Sequence, residues 1–186
     1  MERIYNLTGG ILGWNDHAVP DFPKMAAFSL HGDPKNILYR AMDMEKGAYI
    51  FYSEVLARHR EQEFARFIDL LARAEEGHAR LIYHYYHQEY PEAEPFDALY
   101  ATLPGEVLEG GRSVTAMRQF LDGEHDDPCL DIVELSISIE YAAYDLYRNM
   151  ADYFAERPME EAFLSIAQAE KEHMRIAAEA LSFCHS

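Results

Sequence analysis

Six residues combine metal-binding side chains with a repeated spacing: Glu45, Glu75 with His78 three positions on, Glu140, and Glu170 with His173 three positions on. Thirty positions separate Glu45 from Glu75, and thirty separate Glu140 from Glu170. A shift of 95 residues lays the second set on the first and brings Tyr144 onto Tyr49 and Tyr147 onto Tyr52. Ala48, Glu61, Ala72, Ala74 and Arg80 also meet identical residues, so ten of the 36 positions from 45 to 80 match without a gap. Ordinary residue frequencies give about two such matches by chance. Polar residues carry the match, so helical periodicity alone does not account for it, whereas a duplicated unit does.

Residues three apart on a helix share a face, so each Glu-x-x-His pair points one way from one turn. If the faces converge, four carboxylates and two imidazoles meet inside a bundle lined by Leu, Ile, Phe and Tyr. Four unpaired carboxylates could not be buried there. Two divalent cations offset them, +4 against −4, with both imidazoles neutral. Mixed carboxylate and imidazole ligation suits iron or manganese, and zinc also fits. Glu76, Glu134 and Glu172 fall off or at the edge of the inner stripes and read as solvated.

These residues need helices to hold them. Asp33-Pro34 reads as a cap followed by a first-turn proline. A helix is expected from about Asn36 to Arg60, with Leu38, Met42, Glu45, Tyr49, Tyr52 and Leu56 inside at alternating spacings of four and three. A second is expected from about Gln62 to Glu89, ended by Pro91 and Pro95. Its inner residues are Phe64, Phe67 or Ile68, Leu71, Glu75, His78, Ile82 and Tyr85. A third runs from about Leu130 to Ala155, with Val133, Ile137, Glu140, Tyr144, Tyr147, Ala151 and Phe154 inside. A fourth runs from about Glu160 to Phe183, with Phe163, Ile166, Glu170, His173, Ala177 and Leu181 inside. Short loops near 61 and 157 make two antiparallel hairpins, and residues 91–128 join them, with a short helix at Val114–Leu121. No strand is expected beyond the first dozen residues. The fold class is therefore all-α, an antiparallel four-helix bundle with one long crossover. Residues 1–34 form an irregular extension and residues 35–186 the bundle.

Composition sets outer limits. The chain has 186 residues and a net charge of −17, from 16 Lys+Arg against 33 Asp+Glu. That length suits one domain with its own core. The charge argues against nucleic acid or an anionic membrane as partner, and no apolar run is long enough for a membrane span. There is no secretory leader pattern. Cys129 and Cys184, far apart in sequence, do not read as a disulfide scaffold and suit a reducing cytoplasm.

At Glu45…Glu75-x-x-His78 and Glu140…Glu170-x-x-His173 the sequence resembles the ferritin-like superfamily, and within it the rubrerythrin-like dimetal proteins, over roughly residues 35–183. The ligand pattern is the one such bundles use. By that resemblance Glu75 and Glu170 would bridge two metals, Glu45 and Glu140 would be terminal ligands, and His78 and His173 would each bind one ion. Tyr52 and its mate Tyr147 stand where the family often keeps a tyrosine hydrogen-bonded to a ligand carboxylate. The resemblance implies a di-iron oxidoreductase of peroxidase or oxidase type. It would reduce hydrogen peroxide or O₂, and a homodimer in the cytoplasm is expected.

Two departures qualify this. Typical rubrerythrins carry a C-terminal Cys₄ iron module that feeds electrons in. Two cysteines cannot build one, so an external donor is expected, either rubredoxin-like or a flavoprotein reductase. They also carry an extra Glu on the third helix, where this sequence has Ala143. The segment from Ile4 to Trp14, with Gly9-Gly10 at its turn, resembles the closing stretch of a rhodanese domain. Two other readings stay open at this point: iron binding and oxidation for iron handling, and a structural module whose metals only brace the bundle.

Overall fold

The structure, a computed structural model, describes residues 33–184. The irregular extension, with its rhodanese-like segment, lies outside the described residues except for its last two. Six α-helices are present among the described residues: α1 (Pro34–His59), α2 (Ala65–Glu89), α3 (Phe96–Thr102), α4 (Val114–Leu121), α5 (Pro128–Tyr153) and α6 (Pro158–Ala180). The all-α expectation holds, and α1, α2, α5 and α6 are the four long helices of the bundle.

Both helices that open a hairpin start on the same signal. Asp33 accepts from Lys35 N at 3.1 Å with Pro34 at the first helical position. Asp127 accepts from Leu130 N at 3.0 Å with Pro128 in the same place. Each cap satisfies one amide the first turn leaves open, worth about 1 kcal/mol. The second Asp-Pro starts α5 two residues before the expected Leu130. Helix α2 begins at Ala65, later than expected, because residues 60–64 are spent on the turn. After Ala180 the chain tightens to a 3₁₀ turn over Leu181–Phe183, so α6 stops short of the expected end.

The crossover has more structure than foreseen. Two short strands, β1 (Val107–Leu108) and β2 (Arg112–Ser113), pair antiparallel, with Val107 opposite Ser113. This corrects the expectation of no strand there. Gly110 (φ 79°) and Gly111 (φ 75°) turn the chain between them in the left-handed region that glycine allows. The hairpin forms a strap that packs on both α1 and α5. At Gly47 of α1 the packing is so close that a Cβ would stand 2.5 Å from the Val107 carbonyl oxygen. Lys46 Nζ donates to the carbonyls of Tyr100 and Leu103 at 2.7 Å each, and Gly105 N donates to Asp43 Oδ1 at 2.7 Å. These contacts fasten the crossover to α1 next to Glu45.

Helix α1 packs on α2 and α5 on α6, and the hairpins meet most closely where α2 lies on α6. The core divides into two apolar clusters. One gathers Leu38, Met42, Ile82, Leu146, Met150, Phe154 and Phe163. The other gathers Phe51, Val55, Ile68, Leu71, Ile132, Val133 and Ile139. Of the expected inner residues, Leu56, Phe67, Tyr85, Ile137, Tyr49, Tyr144 and Leu181 are only half-buried. An apolar stripe wider than the seam supplied more candidates than one bundle axis can cover.

One sequence expectation is overturned outright. Cys129 and Cys184 form a disulfide, with Cα atoms 5.3 Å apart. Fifty-five residues separate them, but the α5–α6 hairpin returns the chain to the end where it began. The cysteines therefore no longer argue for a reducing compartment. Among the described residues no helix is long and apolar enough to cross a membrane.

Candidate metal centre

Between the two apolar clusters each long helix turns a carboxylate inward: Glu45 from α1, Glu75 from α2, Glu140 from α5 and Glu170 from α6. None is more than 3 % exposed. His78 stands one turn after Glu75 and His173 one turn after Glu170. The two rings stack across the layer with centroids 5.3 Å apart. All six expected metal-site residues are thus brought together, while Glu134 and Glu172 are exposed and Glu76 pairs with Arg80.

The donor atoms fall into overlapping groups. Glu45, Glu75, His78 and Glu170 form one, Glu75, Glu140 and His173 another, and His78, Glu170 and His173 a third, each with donors within 4.8 Å of one another. Glu75 and Glu170 therefore reach both halves. His173 Nδ1 lies 3.0 Å from both Glu140 Oε2 and Glu170 Oε2. His78 Nδ1 lies 2.8 Å from Glu170 Oε1 and 3.4 Å from Glu45 Oε2. The 2.8 Å approach lacks hydrogen-bond geometry, and His78 Nδ1, Glu170 Oε1 and Glu45 Oε2 are buried with no hydrogen-bond partner. Unpartnered donor atoms converging at such spacing are ones a shared cation would satisfy. The residues present fit two metal ions.

The tyrosines cross the bundle. Tyr52 of α1 donates to Glu140 Oε1 of α5, and Tyr147 of α5 donates to Glu45 Oε1 of α1. Both rings are fully buried. Burial and the Glu140 charge raise the proton affinity of Tyr52, and burial and the Glu45 charge that of Tyr147, so both hydroxyls stay protonated donors. Each holds one oxygen of a carboxylate and leaves the other to the centre, where Glu140 Oε2 meets His173 Nδ1 and Glu45 Oε2 has no partner. The exchange is the 95-residue repeat made spatial.

Electrostatics record the crowding of charge. Burial, then the Glu170 charge, pushes the Glu140 carboxyl up to about 8. Burial, then Glu140, raises Glu75 well above the carboxylate range. Glu170 goes the other way: burial opposes its charge, but His78 and His173 outweigh that and hold it ionised. Burial also opposes charge on His173, yet hydrogen bonds to Glu140 and Glu170 lift it to about 9. Burial likewise opposes charge on His78, and the Glu170 charge overrides it. Without metal the layer neutralises itself with protons.

A fifth carboxylate was missed by sequence. Glu109, in the strap between β1 and β2, is 1 % exposed, and neither of its oxygens has a hydrogen-bond partner. Burial, then the charge of Glu45, raises its carboxyl well above the usual range; its own backbone amide opposes this, and Glu170 and Glu140 add to the rise. No helical period marks it. The only local signal is the following Gly110-Gly111.

The model of the rubrerythrin family matches residues 36–111 and 131–184. Searches of curated proteins and of solved structures each returned no match. The matched segments cover more than two thirds of the chain and contain all six of the buried Glu and His residues of the layer. The chain belongs to the rubrerythrin family.

Proposed function

We propose that this centre holds two iron ions and reduces hydrogen peroxide or O₂ with electrons from an external donor. The observation that carries the reading is the buried layer of four carboxylates and two imidazoles between two apolar clusters, in which Glu45 Oε2, Glu170 Oε1 and His78 Nδ1 find no hydrogen-bond partner. Manganese or zinc would fit the same donors. Glu75 and Glu170, which reach both halves, would bridge the two ions, Glu45 and Glu140 would be terminal ligands, and His78 and His173 would each hold one ion.

When bound, a diferrous pair supplies two electrons, and with two protons these convert one peroxide to two waters. The chain's own residues do the rest. Tyr52 and Tyr147 fix the orientation of Glu140 and Glu45, so the free oxygens face inward. The two clusters exclude water from both ends. His78 and His173 form the less buried side of the layer, with side chains 10 % and 12 % exposed. Glu140 and His173, 3.0 Å apart, hold protons that metal binding must displace. The electron donor would be a rubredoxin-like or flavoprotein reductase, and the chain would pair as a homodimer in the cytoplasm.

Iron reconstitution followed by metal analysis tests the reading. The wild-type protein is expected to hold two equivalents and to consume peroxide when reduced, and a Glu75→Ala, Glu170→Ala double variant to hold none stably. Fewer than two equivalents in wild type, or undiminished metal in the variant, would sink it. A loaded centre inert to both oxidants would leave the metals a bracing role.

A further inference from the structure

Among the described residues, Glu109 is the one buried acid that the bundle does not supply. Its turn sits against α1 and α5, the helices of Glu45 and Glu140, on the side of the bundle away from the α2–α6 contact. The strap is pinned there by Lys46, Asp43 and the close approach at Gly47. Two glycines with positive φ follow Glu109 and reverse the chain, so the residue that leads into the turn is driven inward. Arg112, three residues on, does not serve as its counterion: Arg112 Nη2 donates to Ser138 Oγ at 2.9 Å. Among the described residues Glu109 makes no ion pair. A carboxyl buried with both oxygens unpartnered is costly unless something outside the polypeptide uses it.

We propose that Glu109 is a seventh protein ligand of the dimetal centre, delivered by the crossover strap and not by the four-helix repeat. The proposal rests on the dimetal reading above. Glu109 is outside the three groups of donors lying within 4.8 Å, so ligation draws its carboxylate inward from the turn. It would act on the α1–α5 side, beside Glu45. The strap occurs once while the hairpins occur twice, so the seventh ligand would make the two metal positions unequal: one ion gains a carboxylate that the other lacks. That inequality is what a centre with one exchangeable position needs. Ala143, where typical rubrerythrins place an extra Glu, lies buried among apolar neighbours, so a fifth carboxylate here comes from a different element of the fold.

Cobalt(II) titration of the full chain tests this, because its visible bands report coordination number independently of turnover. Wild type is expected to take up two equivalents. Glu109→Gln, close in shape but uncharged, is expected to bind one of the two at least tenfold more weakly. Its bands should also intensify as that ion loses a ligand. Glu109→Asp keeps the charge and should keep both equivalents with shifted bands. Two equivalents bound by Glu109→Gln with wild-type affinity and unchanged bands would overturn the proposal. If Glu109→Gln loses its helical circular dichroism, Glu109→Asp decides, and unchanged bands there would overturn it equally. Failure of wild type to bind two cobalt ions would refute the dimetal reading itself, a separate result.

Discussion

Metal uptake should be coupled to proton release, and the structure names the groups that hold the protons. Against burial, hydrogen bonds to Glu140 and Glu170 lift His173 to about 9, and burial and the Glu170 charge push Glu140 up to about 8, so at pH 7 without metal the pair holds protons. Those protons must leave before the pair can ligate. Glu75 and His78, both raised as well, add to the count. Filling both metal positions at pH 7 is therefore expected to release a proton or more, and the product of the two binding constants should rise at least about tenfold per pH unit. The sign for the metal-free fold is the reverse. His173 and Glu140 hold protons more tightly when folded than when unfolded. The His173 contribution is complete below its ordinary 6.5 and is lost as pH rises through about 9. That of Glu140 is complete below 4.5 and is lost through about 8. The His173 shift alone corresponds to about 3 kcal/mol. The two shifts share one hydrogen bond and do not add. Metal-free protein should therefore melt at lower temperature at pH 9 than at pH 6, and bound metal should abolish the loss. Calorimetric titration with zinc in two buffers of different ionisation enthalpy counts the protons. A count near zero, or a metal-free Tm that rises from pH 6 to 9, would refute the electrostatic argument.

Removing the Tyr147 hydroxyl by Tyr147→Phe frees Glu45 Oε1 and leaves a buried carboxylate without its donor; metal affinity is expected to fall 10- to 100-fold, read by competition with a chromogenic chelator. Tyr52→Phe should do the same through Glu140, and a double variant losing no more than either single would show that the pair acts as one clamp. Replacing both cysteines by serine releases a loop closed over 55 residues, which loop-closure entropy values at about 4 kcal/mol. Denaturant titration of oxidised protein against the Cys129→Ser, Cys184→Ser variant measures it, and equal midpoints would contradict it.

The Glu and His layer was legible early because it breaks a rule. A Glu at a seam position is expensive, and the same breach at the same spacing in two halves of one chain demands a common explanation. The capping Asp-Pro pairs and the helix α4 at Val114–Leu121 were legible for local reasons: a cap acts within its own turn. The half-buried Tyr49, Ile137 and Tyr144 were misjudged because burial depends on which face a neighbouring helix covers, and several faces of these helices carry apolar residues. The disulfide was missed because separation along the chain says little about separation in an antiparallel hairpin.

The net charge of −17 shows how far patterning reaches. Repeat spacing assigns four of the acids to the interior, because helical geometry is local and its period is written in residue types. Asp43, paired with Arg40, and Glu109 are buried as well, and no period announces Glu109. Its burial follows from a strap anchored to α1 at Gly47 and Asp43, more than 60 residues earlier in the chain. The crossed tyrosine clamps are of the same kind, since each joins residues about 90 to 100 apart. Residue type and spacing named the donors. Only the packing of distant segments set which lone pairs stay unpartnered, because that depends on what the rest of the chain places beside them.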